Sequence, residues 1–201
     1  MKDLNFPFVL IDRHYPNIET NFVIVDNFGG TKDITQHLIK NGRRKIGFIT
    51  IKSNLDAIEQ RLLGYQDAIK ANNLEIKSEN IKQLDVVDYQ KEMKQAISDL
   101  VKPSVNVDAI VFSTHYLTAS GLRELKLLKF KVPQQVALVS FDELGAFDLV
   151  EPPITTSKQP VLDIGNLAVE ILVNDIENKN LKIENKNVLK TKLLIRKSCG
   201  I

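Results

Sequence analysis

Three side chains suited to gripping a small polar ligand stand at equivalent places in this chain: Asp12, Arg61 and Asp142. Asp12 ends the apolar run Phe8–Asp12, and Asp142 follows the apolar run Val136–Phe141. Arg61 stands early in a helix that follows a third such run, Lys45–Ile51. In a parallel sheet, strand C-termini and the starts of the next helices share one edge, so the three can converge on one crevice. Carboxylates accept hydrogen bonds from hydroxyls, and the planar guanidinium donates them. The trio suits a polyhydroxylated or amide-rich small molecule. Each residue also has a plainer role. Asp12 fits a cap on the Arg13–Pro16 turn. Arg61 fits an exposed helix residue paired with Asp56 or Glu59. Asp142 fits a helix N-cap.

The elements that must position these residues are legible from periodicity. Unalternated apolar runs at Phe8–Asp12, Phe22–Asp26, Lys45–Ile51, Asp108–Ser113 and Val136–Phe141 predict strands buried on both faces. A weaker strand is expected near Ile81–Val87, and a short extended piece at Ile154–Ser157. Helices are expected to about Lys40, from Asp56 to about Ala71, and at Tyr89–Val101, Leu117–Leu128 and Val161–Glu177. The second shows Ile58, Leu62, Tyr65 and Ile69 on one face. Asn41-Gly42 is a stop signal for the first. The polar stretch Asn178–Asn187 predicts a surface loop, and Leu189–Arg196 a last strand. This alternation of strands and helices specifies an α/β protein with a mostly parallel sheet.

Composition narrows the function. The 201 residues are 43% apolar and 26% charged, with a net charge of +2, too balanced for an electrostatic footprint on nucleic acid. The single cysteine, Cys199, excludes an internal disulfide and fits a reducing cytoplasm. His14, His37 and His115 are isolated, so no metal cluster is expected. There is no apolar span of membrane length. Gly29-Gly30 follows Asp26-Asn27 without a GxGxxG pattern or a P-loop lysine, which favours a capped turn over a phosphate cradle. No nucleophile–base pair is evident, so an enzyme is not expected, and no cofactor is.

An ordered series of motifs resembles the effector-binding core of LacI–GalR-type transcriptional regulators. It runs through Ile11-Asp12-Arg13, Val25-Asp26-Asn27-Phe28-Gly29-Gly30, Arg61-Leu62-Leu63-Gly64-Tyr65, Val132-Pro133 to Phe141-Asp142, Pro152-Pro153-Ile154-Thr155-Thr156 to Gln159-Pro160, and Leu193-Leu194-Ile195-Arg196-Lys197-Ser198. The resemblance implies a two-lobed periplasmic-binding-protein-like type I fold with parallel sheets flanked by helices. It implies an incomplete N-terminal lobe at 1–30 and 152–175, and a C-terminal lobe at 31–151 and 176–201. It also implies effector contacts at Asp12, Arg61 and Asp142. The family's Asn-Asp pair falls on His115-Tyr116, a departure that makes His115 a candidate ligand with altered chemistry. The implied function is sensing of a sugar-like or nucleoside-like effector by a homodimer, with Leu117–Leu128 as a dimer surface through Leu122, Leu125, Ala119, Ser120 and Gly121. DNA would be reached only through a helix-turn-helix head that this chain lacks. A periplasmic-type solute-binding protein of the same fold is the alternative.

Overall fold

The computed structural model describes residues 6–15, 18–177 and 186–200. Its strands are β1 (Val9–Ile11), β2 (Asn21–Val25), β3 (Ile46–Ile51), β4 (Ile81–Leu84), β5 (Ala109–Phe112), β6 (Ala137–Phe141), β7 (Thr155–Lys158), β8 (Lys186–Leu189) and β9 (Lys192–Leu194). Its helices are α1 (Asn27–Lys40), α2 (Asp56–Ala71), α3 (Tyr89–Val101), α4 (His115–Leu127) and α5 (Val161–Glu177). They build two sheets. The smaller has the order β1-β2-β8, and the larger β4-β3-β5-β6-β7-β9. Every pairing is parallel except β7 with β9.

The larger sheet is buried on both faces, which is why β3, β5 and β6 read as unbroken apolar runs. On one face α1 and α2 bury Ile34, Leu38, Tyr65 and Ile69 against Ile46, Phe48, Val111, Val139 and Phe141. On the other, α3 and α4 bury Met93, Ile97, Leu100, Leu117 and Leu125 against Ile49, Ile110, Phe112 and Leu138. Truncating one such buried leucine or isoleucine to alanine costs about 2–5 kcal/mol. In the smaller sheet, Val23 packs with Ile164, Ala168 and Ile171 of α5.

The chain passes between the sheets after β2, after β7 and after β8. At the first crossing the Asp26 carboxylate caps α1, accepting from the Gly29 amide at 2.7 Å. Close packing explains Gly30, where a Cβ would lie 2.6 Å from Thr191 Oγ1 and 2.8 Å from Ser157 Oγ. The glycine pair therefore serves packing and capping at a crossing.

Local chemistry explains the departures from the sequence reading. Leu189–Arg196 is two strands in different sheets rather than one, because the chain changes sheets at Lys190-Thr191, where Ser157 Oγ donates to Thr191 Oγ1 at 2.8 Å. Strand pairing puts β7 in the larger sheet and β8 in the smaller. β4 stops at Leu84 because the Asp85 carboxylate accepts from the Val87 and Asp88 amides and turns the chain. Of the loop expected at Asn178–Asn187, residues 178–185 lie outside the described residues, and Lys186-Asn187 already belongs to β8.

Candidate functional site

The site grows from the C-terminal edge of the larger sheet, where β5 and β6 end and α4 begins. Arg61 sits on the α2 face that packs towards this edge and is only 6% exposed. Its Nε donates to Asn27 Oδ1 at 2.8 Å, and Nη1 donates to the Ser113 carbonyl at 2.8 Å. The guanidinium carbon lies 3.9 Å from the centroid of the Phe141 ring, a cation–π contact in a dry setting. Burial pulls the Arg61 pKa down to about 10, opposed by the charges of Asp142 and Asp12 and by Tyr116. The side chain is therefore still a cation at neutral pH. A guanidinium carries five N–H donors, and two of these are spent on the bonds above. The exposed-helix role paired with Asp56 or Glu59 is not what the structure has; Asp56 instead accepts from Gln60 at 3.3 Å.

Asp142 follows β6 with a positive φ of 75°, a conformation that costs a non-glycine residue energy. Three contacts fix it. Its amide donates to the Ser157 carbonyl at 2.9 Å, its Oδ1 accepts from the Glu143 amide at 2.9 Å, and its Oδ2 faces His115 Nδ1 at 3.2 Å. No α-helix intervenes between Asp142 and β7, so the N-cap role is not realised. His115 is the first residue of α4, which therefore begins earlier than Leu117. Its ring sits edge-on to Tyr116 at 5.7 Å, and Tyr116 meets Tyr89 at 5.1 Å. Asp12 also has a positive φ, 64°, at the end of β1, and its amide donates to the Val23 carbonyl at 3.0 Å.

Arg61, Asp142 and His115 thus gather at one place, and the charge of Asp12 is felt by Arg61. Sequence reasoning missed several neighbours. Asn27 and Phe141 hold the guanidinium. The hydroxyls of Thr50, Ser113 and Thr114 are buried at the same sheet edge without a partner among the described residues. Ser113 and Thr114 follow the C-terminal end of β5 and Thr50 is the last residue but one of β3, and no sequence pattern marked them. Among the described residues no group of three or more His, Cys, Asp or Glu is placed to hold a metal ion, and no helix is long and apolar enough to cross a membrane.

An arginine and an acid at the C-terminal edge of a doubly covered parallel sheet, next to a second sheet reached by three crossings, define a protein of the periplasmic-binding-protein type. Residues 35–199 match the family described as periplasmic binding protein-like domain, and the chain belongs to that family. Its similar relatives are transcriptional regulators. The HTH-type transcriptional regulator CelR of Thermobifida fusca is 30% identical over 91% of this chain and 53% of its own length. The transcriptional repressor CytR of Escherichia coli K12 is 24% identical over 96% of this chain and 55% of its own. Among solved structures, a CelR–cellobiose complex superposes with a TM-score of 0.84 at 29% identity, covering 96% of this chain and 58% of that one. A Bacillus cereus subsp. cytotoxis protein described as a LacI transcriptional regulator gives 0.86 at 29%, covering 98% and 70%. The chain spans about half the length of the curated relatives it matches. The expected α/β fold and the resemblance to LacI-type regulators both hold.

Proposed function

We propose that this chain is the effector-sensing region of a LacI-type transcriptional regulator, binding a sugar-like or nucleoside-like molecule at Arg61, Asp142, His115 and Asp12. The smaller sheet with α5 and the larger sheet with α1–α4 act as two lobes that close on the ligand. Closure changes how paired copies sit against each other and so governs DNA binding through a head domain. The observation that carries this reading is the buried Arg61 cation. It keeps unused donors beside the Asp142 carboxylate, at the sheet edge where open α/β folds take their ligands. A hydroxyl pair on a pyranose or ribose can accept from the guanidinium and donate to the carboxylate together. The cellobiose bound by the CelR structure belongs to this chemical class. The tyrosines beside His115 offer a face for a sugar ring or a base.

Pairing of two copies is assigned to the outer face of α4. Of the residues expected at the dimer surface, Leu125 is fully buried and a Cβ on Gly121 would strike the Phe112 ring at 2.2 Å, so these two pack inward, while Ala119 and the edge of Leu122 line the outer side. What α4 presents outward is a groove of about 370 Å³ along Ala119, Leu122, Arg123, Lys126 and Leu127, with Leu127 65% exposed.

The test is a thermal-shift screen of the full chain against cellobiose, other disaccharides, ribose and nucleosides. A ligand at one hundred times its Kd adds about 2.7 kcal/mol to stability, which raises Tm by roughly 5–10 °C in a chain of this length. A response to one member, lost in Asp142→Ala with the fold retained, supports the reading. Survival of the response in that variant would mean that the site lies elsewhere.

A further inference from the structure

Resting on that reading, we propose that Glu143 and Arg196, which need not touch the ligand, are positioning residues that hold the Asp142 carboxylate in its binding orientation. Arg196 grips Glu143 with two nitrogens, Nη2 to Oε1 at 2.8 Å and Nη1 to Oε2 at 3.1 Å. Thr156 Oγ1 also donates to Glu143 Oε2. Both partners of the pair are largely buried, 20% and 15% exposed at the side chain. Arg196 is itself anchored: Nη1 donates to the Ile154 carbonyl at 2.6 Å, and its amide to Thr155 Oγ1 at 2.9 Å. Burial alone would push the Glu143 carboxyl up. The Arg196 and Thr156 hydrogen bonds and the Arg196 and Lys158 charges outweigh it and hold the group below its ordinary value, so the pair stays charged.

The consequence lies one residue away. The Glu143 amide donates to Asp142 Oδ1, and the Asp142 amide is tied to Ser157 beside Thr156. The Glu143 side chain thus fixes the peptide plane that aims the Asp142 carboxylate at His115, in a left-handed conformation that would otherwise relax. A bidentate Arg–carboxylate pair sets direction as well as distance, which suits aiming a neighbour. The clamp comes from the segment after β9, so the orientation of the ligand acid depends on how that segment docks on β7.

The test compares Glu143→Gln and Arg196→Lys with Ser198→Ala in the full chain. The last variant loosens the same segment by removing the Ser198 bonds to Leu138 and Thr155, and leaves the ion pair alone. Amide hydrogen exchange at Asp142 and Glu143 is read against core amides of β3 and β5. Affinity is measured with cellobiose as probe. Glu143→Gln and Arg196→Lys should speed exchange at the two amides about tenfold or more and raise the cellobiose Kd about tenfold, with the core amides unchanged. Ser198→Ala should do neither. Unchanged exchange at the two amides, uniform acceleration of the core, or the same effects in Ser198→Ala would overturn the proposal, leaving the pair a simple tie for the C-terminal segment. If the unmodified chain binds neither cellobiose nor any other member of the screen, the ligand reading is what fails, and the exchange comparison still decides the positioning role.

Discussion

Replacing Arg61 with methionine separates the binding role of the guanidinium from its structural one. Burial holds the Arg61 pKa about two units below the ordinary guanidinium range, at about 10. At about 1.4 kcal/mol per pKa unit, that depression means that keeping the charge in place costs on the order of 3 kcal/mol. Two hydrogen bonds from the cation, to Asn27 and Ser113, return about 1.5–3 kcal/mol each. The contact with Phe141 adds about 1–2 kcal/mol. Methionine keeps the stacked volume, removes the cost of burying a charge, and leaves Asn27 Oδ1 and the Ser113 carbonyl short of a donor. These terms leave a net loss of about 1–5 kcal/mol, a Tm loss of roughly 20 °C or less. Ligand binding has no such compensation. Loss of two charge-assisted bonds to the ligand should weaken it at least a hundredfold. Urea unfolding gives the first number, and calorimetric titration with the best ligand of the screen gives the second. A folded Arg61→Met variant that binds within threefold of the unmodified chain would refute the reasoning.

Three further outcomes follow from other parts of the molecule. His37 contacts Cys199 and Asn41, and burial, with the Lys40 charge, lowers its pKa below 6.5. The unfolded chain therefore takes up the proton first, and the stability His37 contributes is complete above about pH 6.5 and lost as pH falls below it. The urea midpoint should drop between pH 7.5 and 5.5, and His37→Gln should flatten that drop. Gly30→Ala should destabilise by about 1–3 kcal/mol, since its Cβ meets Thr191 and Ser157 at 2.6 and 2.8 Å; adding Thr191→Ala should recover part of the loss in the same urea assay. Leu127→Asp, on the exposed face of α4, should shift a sedimentation profile towards monomer with Tm changed by under about 3 °C.

Much of this architecture was legible because parallel strands buried on both faces write themselves as unbroken apolar runs. β3, β5 and β6 are of that kind, and so their following helices could be placed. The crossings were not legible. Lys190-Thr191 looks like any polar pair inside an alternating stretch, and only the register of β8 on β2 and of β9 on β7 separates the two strands. Candidate site residues that end strands, Asp12 and Asp142, stood out because a lone acid after an apolar run is conspicuous. Arg61 was ambiguous, since helix periodicity does not reveal that Asn27, 34 residues earlier, supplies its acceptor. Ser113 and Thr114 carry no pattern at all until α4 is seen to start beside them. Which side of α4 faces out was hidden for the same reason. A helix lying on a sheet spends Leu117 and Leu125 on the core, and sequence alone does not say which residues remain outside.

The central claim is that the Arg61–Asp142 edge binds a small hydroxylated ligand. Its most direct test is calorimetric titration of the unmodified chain and of Asp142→Asn with the best ligand of the thermal-shift screen. The account predicts one site per chain in the unmodified protein and at least a hundredfold weaker binding in the isosteric variant, with unfolding midpoints that agree closely. Equal affinity in the two proteins would contradict it.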